Sequence, residues 1–371
     1  MAILRDSLDS PRRTDASLTM RIAVFAPNLI GDTVMATPTL RAIRAGFPNA
    51  EIAVVIKPHV APTLDAAPFI DRILPFAPKA KDPGHRTAPL LRQLRADRFD
   101  LAVLLPNSFR SALMAFLAGI PKRVGYSRGG RGLLLTDRLS PQKDKNGRYV
   151  PTPVVEYYLG LARHLNCPVD SLRLELFTTN ADETAADNAW QRLGLIGRHP
   201  IICLNTGGAF GPAKSWPTSH FAVLARRLVE EKDASILVVC GPGERDSARE
   251  IVAKANHERI VSLADEPMSL GLTKACVKRS DLMITTDSGP RHFAAAFGVP
   301  VVSLFGPTHI AWTRTHHPHA IHLQQPVPCG PCQLGVCPLK HHRCMVELLP
   351  EAVFRAAESL LNRSSRREVC L

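Results

Sequence analysis

The chain has 371 residues, is 45% hydrophobic and 21% charged, and carries 46 Lys and Arg against 33 Asp and Glu, a net charge of +13. That length exceeds what one hydrophobic core usually organises, so two domains are expected. The composition is that of a globular protein, and no run of about 18 apolar residues could form a transmembrane helix. A cationic excess of this size suits polyanionic partners: nucleic acid, an anionic membrane face or a phosphorylated glycolipid. Between Lys122 and Arg148 stand eight Lys or Arg and two Asp. No recognition helix or aromatic-interleaved RNA motif accompanies them, so nucleic acid is not an expected partner.

Residues 1–20 are polar and mixed in charge, without the apolar core of a signal peptide. They predict a disordered extension, with Met20 as an alternative start, on a chain that stays in the cytoplasm. The apolar run Arg21-Ile-Ala-Val-Phe-Ala26 predicts the first strand, and Thr39 to Phe47 has helical spacing ending near Pro48-Asn49. Ile52 to Ile56 and Leu101 to Leu105 predict further strands, with a basic helix over Ala88 to Arg98 between them. Strands alternating with helices imply a parallel sheet covered on both faces. The Gly, Arg and Lys-rich stretch from Gly125 to Arg148 predicts an exposed loop. Val154 to Leu165 reads as a helix, and the polar segment Thr178 to Ala181 precedes another ending near Leu195. The domain boundary is expected here, giving a first domain over 21–180 and a second over 181–350.

The pattern restarts with strands at Pro200 to Leu204, Ser235 to Cys240, Ile260 to Leu263, Leu282 to Ile284 and Val301 to Phe305. Phe221, Leu224, Ala225, Leu228 and Val229 form one helical face between the first two. Residues 351–371 predict a helix, Glu351 to Leu361, and a basic tail. The chain is thus α/β, with two Rossmann-like parallel-sheet halves facing across a cleft.

Ligands of open parallel sheets bind at the carboxyl ends of strands, where loops meet helix N-termini. Three such loops carry polar residues. The first is Asn28-Leu-Ile-Gly31-Asp32, where glycine permits close approach to a ligand and Asp32 is either a helix cap or a base. It is not a dinucleotide fingerprint, because no G-x-G-x-x-G follows the strand. The second is Asn205-Thr-Gly-Gly208-Ala209-Phe210-Gly-Pro-Ala-Lys214-Ser-Trp216-Pro217. It suits a diphosphate, with Lys214 as a point charge, or is an ordinary surface loop; the Walker ending is absent, and Trp216 is expected to pack. The third is Thr286-Asp287-Ser288-Gly289-Pro-Arg-His292, whose Asp287 and His292 could be local helix-end groups or ligand contacts. Glu244, in Gly241-Pro-Gly-Glu244, is a carboxylate able to hold ribose hydroxyls or simply exposed.

These four segments, in this order, resemble those of the ADP-heptose:lipopolysaccharide heptosyltransferases, glycosyltransferase family 9, over about residues 20 to 360. The resemblance implies a GT-B fold and an inverting, metal-independent transfer of heptose from an ADP-heptose donor to the lipopolysaccharide inner core. It implies no cofactor. Asp32 matches the family's catalytic base, and Lys214 the lysine that neutralises the donor diphosphate. Glu244 matches the ribose contact, and Asp287, Ser288, Gly289 and His292 match the donor-binding turn. Gly31, Gly208, Ala209 and Phe210 lie in the same loops as substrate contacts. The first domain would bind the acceptor and the second the nucleotide sugar, with the Lys122 to Arg148 patch as a docking surface and the inner face of the inner membrane as a peripheral contact. Pro290-Arg291 departs from the small or apolar residues of many relatives. Another nucleotide-sugar transferase, or a basic anion-binding protein with a cysteine metal module, is the competing reading.

Cys329, Cys332, Cys337 and Cys344 have C-x2-C spacing followed by two further thiols, with His341 and His342 nearby. Zinc or iron–sulfur ligation, a disulfide and free thiols are all compatible with that spacing, although the gaps are not those of a standard finger. No metal ligands are assigned. His316, His317, His319 and His322 are expected in a polar loop.

Overall fold

The computed structural model describes residues 19–208 and 210–368. Residues 1–18, which hold most of the expected N-terminal extension, the site residue Ala209, and residues 369–371 lie outside those described.

The first half forms strands β1 (Arg21–Phe25), β2 (Glu51–Ile56), β3 (Arg72–Pro75), β4 (Leu101–Leu104), β5 (Lys122–Tyr126) and β6 (Asp137–Leu139). They pair in the order β3-β2-β1-β4-β5-β6, all parallel. Its helices are α1 (Ile30–Met35), α2 (Thr37–Gly46), α3 (Thr87–Asp97), α4 (Phe109–Leu117) and α5 (Val154–His164). The central strands are buried on both faces, which is why they read as continuous apolar runs: Ile22 pairs with Ile52 on one side and Leu101 on the other, and all three are fully buried.

The second half repeats the plan. Helix α6 (Asn180–Arg192) leads to β7 (Ile201–Asn205), α7 (Thr218–Lys232), β8 (Ser235–Val239), α8 (Arg245–Ala255), β9 (Ile260–Ser262) and α9 (Leu270–Lys278). Then come β10 (Leu282–Thr286), α10 (Gly289–Phe297), β11 (Val301–Phe305), β12 (Ala320–Gln324), α11 (Arg343–Val346) and α12 (Pro350–Glu368). The sheet order is β12-β11-β10-β7-β8-β9, the same topology as the first. In both sheets the chain order reverses between two central strands, β1 and β4 or β7 and β10. Those are the switch points at which such sheets open a crevice for a ligand. No described helix is long and apolar enough to cross a membrane.

Four strands were not legible in the sequence. β3, β5, β6 and β12 are short or lie toward sheet edges, and three of them are only half-buried, so their residues do not form apolar runs. The Gly125 to Arg148 stretch is therefore only partly the exposed loop expected. Residues 142–148 are exposed, but the earlier part holds the end of β5, a 3-10 turn (Arg131–Leu134) and β6. Arg131 is fully buried; its Nε donates to the Tyr126 carbonyl at 3.0 Å and its Nη1 to that of Pro106. Burial pulls its guanidinium down to about 10, so this cation is structural and unavailable to a docking partner. The C-terminal helix also runs past Leu361 to Glu368, since no Gly or Pro interrupts it. Its Val353, Phe354, Ala357 and Leu360 are buried in the second half's core.

The halves meet through α1 and α10, joined by one apolar cluster that includes Val34 and Met35 from the first half and Phe293 and Ala294 from the second. A Cβ at Gly31 would lie 2.9 Å from His292 Cδ2, and one at Gly289 3.3 Å from Ile30 Cβ. Gly31 is thus a close-approach residue between halves. Gly31→Ala is expected to destabilise the fold by about 1–3 kcal/mol and to displace the adjacent Asp32. An unchanged melting temperature together with unchanged turnover would reject that role. A second pin is Lys274 on α9, fully buried, whose Nζ donates to the carbonyls of Pro62 at 2.8 Å and Phe177 at 2.9 Å.

Candidate active site

Asp32 sits in the first turn of α1, at the carboxyl end of β1. It is not the cap: Leu29 holds that position and makes no side-chain cap bond. The carboxyl lies instead within electrostatic reach of the other half. Burial raises it to about 6, helped by the charge of Asp287 and opposed by that of Lys214. Those two influences come from the other half of the chain, so the three residues share one electrostatic environment.

Across the cleft, Lys214 and Asp287 form a buried pair. Lys214 Nζ donates to Asp287 Oδ2 at 3.0 Å and to the Asp287 carbonyl at 2.6 Å. The ammonium also lies 4.7 Å from the ring centroid of Phe210, which is half exposed at the cleft. With three donors and two committed, Lys214 keeps one N–H for a ligand. Thr308 Oγ1 donates to Asp287 Oδ2 at 2.7 Å, and the Arg291 guanidinium is 3.7 Å from Oδ1. Burial alone would push Asp287 up, but the charges of Arg291 and Lys214 and the two hydrogen bonds hold it below the ordinary carboxylate value.

Ser288 caps α10 by position only; its Oγ accepts from Asn205 Nδ2 at 2.8 Å. Thr286 Oγ1 donates to the Gly207 carbonyl at 3.1 Å, tying the β10 turn to the glycine loop after β7. Gly208 packs beside Ser288, where an added Cβ would be 3.3 Å from Ser288 Cβ. The Glu244 carboxylate leans over the same loop: it accepts the Gly241 N–H at 2.7 Å and occupies the space a Cβ on Gly207 would need. So Glu244, Gly208, Phe210, Lys214, Asp287, Ser288 and Gly289 gather at the second sheet's switch point, and Asp32 faces them from the first. Trp216 packs, its Nε1 donating to the Leu348 carbonyl at 2.8 Å.

His292 is brought to the interface but is fully desolvated. Burial, then the Arg291 charge, press its pKa well below normal, and its Nδ1 has no hydrogen-bond partner. It packs against Gly31 as a neutral ring.

Arg291, noted in the sequence only as a departure from small or apolar residues, lies buried beside Asp287. It is 2% exposed, donates from Nη2 to the Thr313 carbonyl at 2.6 Å, and leaves Nε and Nη1 without partners. Half-buried beside it, His322 is lowered to about 4, first by desolvation and then by the Arg291 charge. The expected polar histidine loop is thus only partly a loop, since His322 lies on β12. A fixed cation behind Asp287 gives the donor side of the cleft a positive background. Its sequence signal was one arginine among the small apolar residues of α10.

A cavity of about 430 Å³ opens beside the Asp32 loop, at the carboxyl ends of the first sheet's strands. Asn28, Lys57, His59, Lys79 and Arg110 line it, and no carboxylate does. The clustered thiols lie elsewhere. Cys329, Cys332, Cys337, Cys344 and His341 line a separate cavity of about 210 Å³, with Cys329 Sγ 3.8 Å from His341 Nε2. Among the described residues no three His, Cys, Asp or Glu side chains converge as a metal-binding group. This segment supports the glycine loop, because Ala213 N–H donates to the Gly335 carbonyl at 3.0 Å.

Residues 87–343 match the model of glycosyltransferase family 9 (heptosyltransferase). The chain is 30% identical to lipopolysaccharide heptosyltransferase 2 of Salmonella typhimurium over 92% of its own length and 99% of that protein, and the same holds for the Escherichia coli protein. Its structure superposes on that of E. coli ADP-heptose lps heptosyltransferase II with a TM-score of 0.76 and 27% identity, covering 93% of this chain and all of the other. A family 9 glycosyl transferase from Veillonella parvula, 22% identical, shares the fold with a TM-score of 0.78 over 93% of this chain and 97% of that one. The two parallel sheets facing across a cleft are a GT-B fold, and the chain belongs to glycosyltransferase family 9, the heptosyltransferases.

Proposed function

We propose that the protein transfers heptose from ADP-heptose to the inner core of lipopolysaccharide, by a single displacement that inverts the anomeric centre. The observation that carries this reading is the meeting of Asp32, raised to about 6, with the buried Lys214–Asp287 pair from the other half. In this scheme the second domain holds the nucleotide sugar. Glu244 takes the ribose hydroxyls, and Lys214 and backbone N–H groups of the glycine loop and of the α10 start take the diphosphate. The acceptor hydroxyl loses its proton to Asp32 as its oxygen bonds to the anomeric carbon. The bond from that carbon to the diphosphate breaks, and ADP leaves with the electron pair. Lys214, with Arg291 behind Asp287, stabilises the charge that grows on ADP. The neutral His292 ring brings no charge to the site; it fixes the spacing of α1 and α10.

The acceptor occupies the first domain, in the cavity lined by Lys57, Lys79 and Arg110, whose charges suit an acidic sugar. The names of the Salmonella, E. coli and Campylobacter jejuni relatives, all heptosyltransferase 2 of lipopolysaccharide or lipooligosaccharide, favour the same step. The protein works at the cytoplasmic face of the inner membrane, where its lipid-linked acceptor lies.

The test is ligand-dependent melting. ADP at about 100 times its Kd should stabilise the native protein by about 2.7 kcal/mol, while UDP at equal concentration should not. Turnover on ADP-heptose with truncated core acceptors follows. Stabilisation by UDP alone, with turnover of a UDP-sugar, would replace the donor assignment.

A further inference from the structure

The charge of this protein is concentrated in one region. Residues 86–148 hold 13 Lys or Arg against four Asp, a net +9 of the chain's +13. Within this stretch α4 leaves a stripe of large apolar side chains in water. Phe109 and Phe116 are 52% and 48% exposed and seven residues apart, hence on one helical face; Leu117 beside them is 42% exposed. The turn Arg131–Leu134 packs on α4 and adds Leu133, at 86% the most exposed large apolar side chain described. Cations fringe this stripe. The Arg123 guanidinium is 5.4 Å from the Phe116 ring centroid, Arg95 donates to the Leu117 carbonyl at 3.0 Å, and Arg110 and Lys122 are exposed.

We infer that this face, α4 with the Arg131–Leu134 turn, docks onto an anionic lipid bilayer. Apolar side chains ringed by lysine and arginine are what an interfacial contact needs. The rings and leucines enter the headgroup boundary while the cations meet lipid phosphates. Nucleic acid would use the charges and stack on the two rings, but it has no use for Leu117 and Leu133. The face also adjoins the cleft: Ser108 and Arg110, at the start of α4, line the cavity that reaches Asn28 beside the Asp32 loop. A bilayer seated on α4 would therefore lie at the mouth of the proposed acceptor cavity. The inference rests on the reading that the acceptor is lipid-linked, and extends it by assigning the surface.

The experiment is sedimentation of the full chain with vesicles of phosphatidylcholine, with and without phosphatidylglycerol. Binding to the anionic vesicles only, weakened by salt, is expected. The double variant Phe116→Ser, Leu133→Ser should lower that partitioning at least about tenfold, the scale of burying two large apolar side chains in the interface. Both sites are exposed, so the variant should fold and melt like the parent. Its kcat/KM on a delipidated, water-soluble acceptor should be unchanged, whereas turnover of vesicle-borne acceptor should fall. The charge variant Arg95→Glu, Lys122→Glu, at two exposed cations fringing the stripe, should lose the salt-sensitive part of binding. Failure of the parent to sediment with anionic vesicles, or parent-like binding by the double variant, overturns the inference. So does tight retention on DNA by both parent and double variant without vesicle binding. Failure of the functional reading would appear separately, as no turnover of delipidated acceptor while vesicle binding persists.

Discussion

Asp32→Asn is expected to lower turnover by about 100- to 10,000-fold, the range for removing a general base, while leaving ADP affinity unchanged. The same substitution should make the protein more stable at neutral pH. A carboxyl that is raised in the folded state favours folding only while protonated. Its contribution is complete below the unfolded value of 3.8 and is lost as pH rises through about 6; above that the buried anion is a net cost. Asparagine removes the anion, so the variant should exceed the parent at about pH 8 by on the order of 2 kcal/mol, with the gap closing toward about pH 4. In the parent, kcat/KM should fall about tenfold per pH unit below about 6, because the base must be ionised to accept the proton. Melting curves and a pH–rate profile check both halves of the statement. An Asp32→Asn protein that turns over normally, or that is less stable than the parent at about pH 8, would remove Asp32 from the role of base.

Lys214→Ala should weaken ADP binding by about 10- to 100-fold, the equivalent of one charge-assisted hydrogen bond of about 1.5–3 kcal/mol. Two further effects follow from its partners. Asp287 keeps Arg291 and Thr308 but loses the ammonium and both Lys214 bonds, so its carboxyl should titrate higher than in the parent. Asp32 also loses the cation that opposes its rise, so the acidic limb of the residual activity should move upward. Calorimetry with ADP reads the first effect and the pH profile the last. Unaltered ADP affinity would falsify a diphosphate contact; a fixed acidic limb would show that Lys214 and Asp32 are not electrostatically linked in solution.

The local signals in the chain were strong where a residue's environment follows from its neighbours in sequence. Central strands such as Ile201–Asn205 and Leu282–Thr286 are buried on both faces, and their unbroken apolar runs announce it. The edge strands β3, β6 and β12 were invisible because half-buried residues alternate too little over three to five positions. At the site, Lys214 and Asp287 stood out as polar residues in glycine-bearing loops after such strands. Whether Asp32 was a cap or a base could not be read from Gly31-Asp32-Thr33. Both roles use an aspartate near a helix start, and the cap position falls on Leu29 only in the folded chain. Gly31 looked like a ligand contact, whereas the side chain it makes room for is that of His292, 261 positions away. Arg131 read as a surface cation and Arg291 only as a departure from small or apolar residues, because nothing in their flanking sequence reports burial; their partners are carbonyls brought from elsewhere in the fold.

By itself, then, the sequence determined the repeated strand–helix units, the loops at their carboxyl ends and the polar residues those loops carry. Tertiary structure decided which of those loops face each other. Asp32 meets the Lys214–Asp287 pair only because α1 and α10 dock at two glycines, a contact between separate sheets that no local periodicity encodes. It also decided the ionisation of the site: water withdrawn from Asp32 and a buried arginine behind Asp287 set where protons rest, and both are properties of packing.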